Sequence, residues 1–199
     1  MLDTQGNLFP FRQHAEAEVI NFFALNGTGQ NGLFVALETG QQDPADADAY
    51  TTAGLGANYT NVYAPRFENK RKVRLATLTD TKYNAVGITL NTTAEYDANG
   101  QKLVLLPKDR RDEMGFVVSG ETVPILTRGI VTLGKGAYNG TPIPGYVGVL
   151  SGNGTITAVD PATVLASTGA ASMANRVVGK FISTSGSAFG GYAQFKLEL

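Results

Sequence analysis

The side chains that could do chemistry in this chain are few and scattered. His14 is the single histidine, with Glu16 and Glu18 close behind it. One imidazole cannot build a usual zinc site, and no serine and aspartate stand in a context that would complete a Ser-His-Asp set. Cysteine is absent, which excludes disulfides, thiolate metal sites and cysteine nucleophiles. Gly27, Gly29 and Gly32 spell G-x-G-x-x-G, but a dinucleotide site needs a helix immediately afterwards to receive the pyrophosphate. Leu33-Phe34-Val35-Ala36-Leu37 follows instead and reads as strand, so the loop is expected to close a hairpin. Gly134-Lys135-Gly136 and Gly179-Lys180 lack the rest of a phosphate-binding loop. Asp43, Asp46 and Asp48 lack the glycine and final glutamate of a calcium loop. Asp109, Asp112 and Glu113 lie in Pro107–Glu113, a mixed-charge run expected to be a solvated turn with local ion pairs. The expectation is no catalytic residue, no metal and no cofactor: not an enzyme.

Composition narrows the class. The chain has 199 residues, 24 of them glycine, with 43% apolar and 17% charged residues. That balance fills a core and favours β structure with many turns over a helical bundle. A net charge of −1 gives no drive toward nucleic acid, whose binders must displace counterions from phosphates. Met1–Gly6 lacks the basic and apolar regions of a signal peptide, and no apolar run approaches the roughly 20 residues that span a bilayer. The expectation is synthesis in a cytoplasm and no membrane partner. The Asn-x-Thr triplets at Asn26, Asn58, Asn91, Asn139 and Asn153 then read as turn chemistry.

The elements that would position any site read as strands. A phrase of Val or Ile, Gly and a further apolar residue recurs at Val86-Gly87-Ile88, Val147-Gly148-Val149 and Val178-Gly179, with a variant at Arg128-Gly129-Ile130. Glycine inside a strand marks a bulge, a bend or a close backbone approach. Strand-like runs recur at roughly 8–12-residue intervals from Val73 to Leu199, Lys102–Leu106 among them, as in a sandwich or barrel. One helix is expected from Asp160, with Pro161 at its first position, to Ala174. The predicted fold is therefore all-β: a compact β-barrel or sandwich of short strands, with an extended N-terminal arm and a long polar loop. Three segments are expected: an arm over 1–18, a strand hairpin and long loop over 19–63, and the main β domain over 64–199.

Phe9 and Phe11 flank Pro10 in the arm. Such aromatics either dock on a partner or pack on their own domain. Lys70-Arg71-Lys72-Val73-Arg74 is the one basic run; on a strand its charge divides between two faces.

From about Arg74 to Leu199 the chain resembles the capsid cement, or decoration, proteins of tailed bacteriophages. The resemblance rests on ordered phrases: Ala85-Val86-Gly87-Ile88-Thr89-Leu90, Val123-Pro124-Ile125-Leu126-Thr127-Arg128-Gly129-Ile130-Val131, Pro144–Val149 with Gly152–Thr157, Arg176–Ser183, and Gly191–Leu197. It implies a β domain on the outer surface of a phage head, a homotrimer that binds major capsid protein and stabilises its lattice. On that reading Phe9, Phe11, Lys70, Arg71 and Lys72 are the candidate capsid or intersubunit contacts, and removing residues 1–13 should leave the fold intact. A carbohydrate-binding or host-attachment module is the alternative, with Tyr50, Tyr59, Tyr63, Tyr138 and Tyr146 as stacking surfaces.

Overall fold

The computed structural model describes residues 8–13, 15–25, 27–38, 72–97, 99–118, 121–167, 172–184 and 191–199. The fold is all-β. A seven-stranded sheet and a six-stranded sheet face each other across one core, and a two-stranded ribbon stands beside them. His14, the aspartates at 43, 46 and 48, and Lys70 and Arg71 lie outside the described residues.

The seven-stranded sheet runs β1 (Leu8–Gln13), β10 (Arg128–Leu133), β15 (Ala193–Glu198), β14 (Val177–Thr184), β12 (Val147–Leu150), β13 (Ile156–Val159) and β11 (Tyr138–Asn139). The six-stranded sheet runs β2 (Val19–Ile20), β9 (Ile125–Leu126), β6 (Ala85–Thr89), β4 (Phe34–Leu37), β5 (Lys72–Leu75) and β3 (Ala24–Leu25). The ribbon pairs β7 (Thr92–Ala94) with β8 (Phe116–Val118) in parallel. Strands from all three expected segments share sheets: β1 pairs with β10, and β2 with β9.

Side-chain alternation divides the core. On β4, Phe34 and Ala36 enter the main core between the sheets, whereas Val35 joins Leu25, Val73, Val123 and Ile125 on the other face. Period two along a strand requires this division. Phe34 meets Phe195 of the opposite sheet edge to face, with ring centroids 6.1 Å apart, and Phe195 meets Phe181 at 5.0 Å. Such aromatic pairs add about 1 kcal/mol beyond their burial.

The recurrent glycine phrase marks the bulges. Val35 and Ala36 pair with Gly87 and Ala85, leaving Val86 as an extra residue on β6. Gly148 and Val149 pair with Gly179 and Val177, leaving Val178 extra on β14. A further bulge leaves Ile182 extra between Phe181 and Ser183. Each extra residue increases local twist, which curls the sheets. The glycines also permit close approach. A Cβ on Gly87 would stand 2.1 Å from the Leu126 carbonyl oxygen, and one on Gly179 would stand 2.1 Å from the Lys196 carbonyl oxygen.

Five local expectations change. The strands flanking the G-x-G-x-x-G loop do not form a hairpin: β5 lies between β3 and β4, pairing with each. Lys102–Leu106 is not a strand. Leu103–Leu105 is a 3₁₀ turn that sends Leu103 and Leu106, three residues apart, into a small core with Ala94. Pro107–Glu113 is not a bare turn, because Lys108–Glu113 form helix α1. Its Arg111 is buried and donates to Glu121 at 2.9 Å. The later helix, α2, covers only Pro161–Ala166. Asp160 caps it by accepting from the Ala162 N–H, and Ser167 ends it in extended backbone with its hydroxyl turned back to the Val164 carbonyl.

The fifth concerns the arm. Residues 8–13 form the edge strand β1 on β10, with a register irregularity between Leu8 and Arg12, around Pro10. Proline cannot donate to a ladder and is tolerated at an edge or a bulge. Leu8 is buried in the main core, so removing residues 1–13 strips core surface and should cost stability.

Candidate functional site

The site begins with Asp80. Thr77–Asn84 connects β5 to β6, and its backbone turns twice: the Asp80 N–H donates to Thr77 O and the Asn84 N–H to Thr81 O. Aspartate and threonine favour such turns because their side chains bond to nearby backbone. Here the Asp80 carboxylate does more. It is 1% exposed and accepts from both ends of the Arg74 guanidinium, at 2.6 and 2.8 Å. It also accepts from the Thr77 N–H at 2.7 Å, the Thr77 hydroxyl at 3.0 Å and the Asn84 amide at 2.7 Å. A two-pronged Arg–carboxylate pair fixes geometry as well as charge. Burial pushes this carboxyl up, but the Arg74 fork and the Thr77 and Asn84 donors outweigh it and hold it at about 2. The same pairing raises the Arg74 guanidinium further above its ordinary value.

What this buried carboxylate holds in place is an apolar tip. Leu78 is 61% exposed and Tyr83 is 78% exposed. The loop is braced from outside as well. The Lys82 N–H donates to Asn175 O, the Leu37 N–H donates to Asn84 O, and Arg176 donates to Leu78 O at 3.2 Å. Asn175 and Arg176 belong to the 3₁₀ turn Met173–Arg176, against which α2 packs, and α2 carries Leu165 at 81% exposure. Lys82 Nζ lies 5.4 Å from the Tyr83 ring centroid. One end of the molecule therefore presents Leu78 and Tyr83 on a fixed loop, with Leu165 on the helix adjoining its brace. A rigid tip loses little entropy when it docks, which favours affinity. Tyrosine is among the residues that dominate protein interfaces.

The sequence singled out other positions. Phe9 and Phe11 have their backbones in edge strand β1 of the seven-stranded sheet. Lys72 opens β5 of the other sheet, half-buried opposite Ala24. The structure does not bring these three together. Arg74, from the same basic run, is committed to Asp80. Among the stacking tyrosines, Tyr138 is buried, contacts the Phe181 ring edge to face, and donates to the Gly191 carbonyl. Burial also raises its phenol above the ordinary value. Tyr146 is half-buried against the main core. Tyr50, Tyr59 and Tyr63 lie outside the described residues. Asp109, Asp112 and Glu113 are exposed on α1, and no group of three or more acidic or histidine side chains could hold a metal ion among the described residues. No described helix is long and apolar enough to cross a membrane.

Sequence reasoning missed Asp80, Leu78 and Tyr83. The available signal was Thr77-x-x-Asp80 followed by Thr81-x-x-Asn84, two turn-forming pairs around solitary apolar residues. The Arg74 partner six positions from Asp80 could be matched only once β5 was placed. Comparison with protein-family models, curated proteins and solved structures found no match.

Proposed function

We propose that this chain is a structural protein of a tailed-phage head, one that binds the outer surface of the assembled capsid and stabilises the major capsid protein lattice. The observation that carries this reading is the Thr77–Asn84 loop, in which a buried, fully bonded carboxylate holds exposed Leu78 and Tyr83 in a fixed position. A catalytic site would turn such a polar constellation toward a reactant. This one turns inward and presents apolar surface, as a protein-binding element does.

The mechanism is linkage. A protein that binds the assembled lattice better than free capsid subunits shifts the equilibrium toward the lattice. In a homotrimer, three weak tips engage together, and effective concentration multiplies their affinity without one tight site. Phe9 and Phe11 on the edge strand, with Lys70, Arg71 and Lys72, are proposed secondary contacts to the capsid or between subunits. The chain acts here without cofactor, nucleic acid or membrane.

The experiment is decoration of purified undecorated heads by added protein, visualised by electron microscopy. The reading requires ordered density on the outer capsid surface, with the Leu78–Tyr83 loop at the contact. Heads that stay bare at saturating protein would refute it.

A further inference from the structure

A second feature lies at the junction of the main fold and the two-stranded ribbon. Gly29 and Thr93 exchange backbone hydrogen bonds at 3.0 and 2.8 Å, joining the G-x-G-x-x-G loop to β7. Beside this bridge is a cleft of about 380 Å³, within the range of small-molecule sites. Its walls include Thr28, Gln30, Thr92, Glu95 and Tyr96. Tyr96 is 45% exposed and Glu95 is also exposed, so both reach solvent where a ligand would enter. Thr93, 1% exposed, lines the cleft as well, and its hydroxyl is buried without a hydrogen-bond partner.

From this arrangement we infer a binding site for a neutral saccharide. The lining combines one aromatic ring with an amide, three threonine hydroxyls and a carboxylate. Oriented polar groups around an apolar surface are what a small-ligand site needs, and hydroxyl, amide and carboxylate can each bond to the hydroxyls of a pyranose. The tyrosine ring offers an apolar face with a polar tip, suited to stacking against the C–H face of a sugar. Among the described residues no lysine or arginine lines the cleft, and Glu95 repels anions, so phosphorylated and acidic sugars are selected against. The G-x-G-x-x-G loop thus serves a cleft without a phosphate. Its following segment is strand β4, so no helix N-terminus meets the ligand. This site stands apart from the capsid-contact loop, and either can fail without the other.

The test is an NMR titration of the full-length protein with methyl glucoside, methyl mannoside, methyl galactoside, N-acetylglucosamine, glucose 6-phosphate and adenosine. At least one neutral sugar should shift the amides of Thr28–Gln30 and Thr92–Tyr96. Tyr96→Ala should weaken that binding about tenfold, whereas Tyr96→Phe, which keeps the ring, should weaken it far less. Overlaid spectra away from the cleft will establish that both variants fold. No response to any neutral sugar would overturn the proposal. So would tighter binding of glucose 6-phosphate or adenosine, or affinity unchanged in Tyr96→Ala.

Discussion

Gly148 of β12 and Gly179 of β14 are Cα partners, and the ring of Phe195 occupies the space that a Cβ on either would need. A Cβ on Gly148 would lie 2.6 Å from that ring, and one on Gly179 would lie 2.8 Å from it. Two glycines thus let one aromatic side chain seat against the sheet beside a bulge, and the same ring reaches Phe34 across the core.

The two positions should respond differently to alanine. Gly148→Ala meets the Phe195 ring and the end of Ile156, both side chains, so Phe195→Leu should partly rescue it. Gly179→Ala also meets the Lys196 carbonyl oxygen at 2.1 Å, which is backbone, so the same second substitution should not rescue it. Each single change should cost about 1–3 kcal/mol, with Gly179→Ala the larger. Urea midpoints at constant m-value are the readout.

The Asp80 network makes a pH prediction. The folded carboxyl titrates at about 2 against an ordinary value of 3.8, so its charged form is stabilised by folding. That contribution, about 2 kcal/mol, is complete above the unfolded value and lost as pH falls through about 2. Asp80→Asn should therefore be less stable than the parent by about that amount at pH 7. The gap should close as pH falls from about 4 to about 2. Urea unfolding of both proteins across this range checks it; a gap independent of pH would contradict the assignment.

Removal of residues 1–13 tests the role of β1. Leu8 is 6% exposed, and burial of one leucine side chain is worth at least ~2 kcal/mol. The truncated chain should lose that stability and expose the β10 edge, an invitation to strand pairing between molecules. Denaturant unfolding measures the first effect and light scattering the second.

The sequence made the all-β class legible because the signals were local. Val-Gly-apolar phrases lay in strands, and turn residues separated them. Gly87, Gly148 and Gly179 were readable as bulge or close-approach positions because glycine inside a strand has few other uses. Pairing partners were not readable. That β5 lies between β3 and β4 depends on a crossover between residues distant in sequence, and no local pattern encodes it. Leu103 and Leu106 were misread as strand because a short apolar run fits both periods. α1 was hidden because every one of its residues is charged and no apolar stripe marks a face; its anchor is the buried Arg111, whose partner Glu121 lies ten residues on. At the candidate site, Leu78 closes the short run Val73–Leu78, and nothing in that run marks it as surface. It became a surface feature only when Asp80, Arg74 and Arg176 were found to fix the loop beneath it.

The Leu78–Tyr83 loop is the element proposed to bind the assembled capsid. The direct measurement is co-sedimentation of the Leu78→Ser, Tyr83→Ala double variant with undecorated heads, beside the parent protein. Both side chains are exposed, so unfolding free energy should change by no more than ~0.5 kcal/mol. Occupancy on heads should fall at least tenfold, since loss of an aromatic anchor commonly costs ~2 kcal/mol at an interface. Unchanged occupancy by a folded double variant would rule out this loop as the capsid contact.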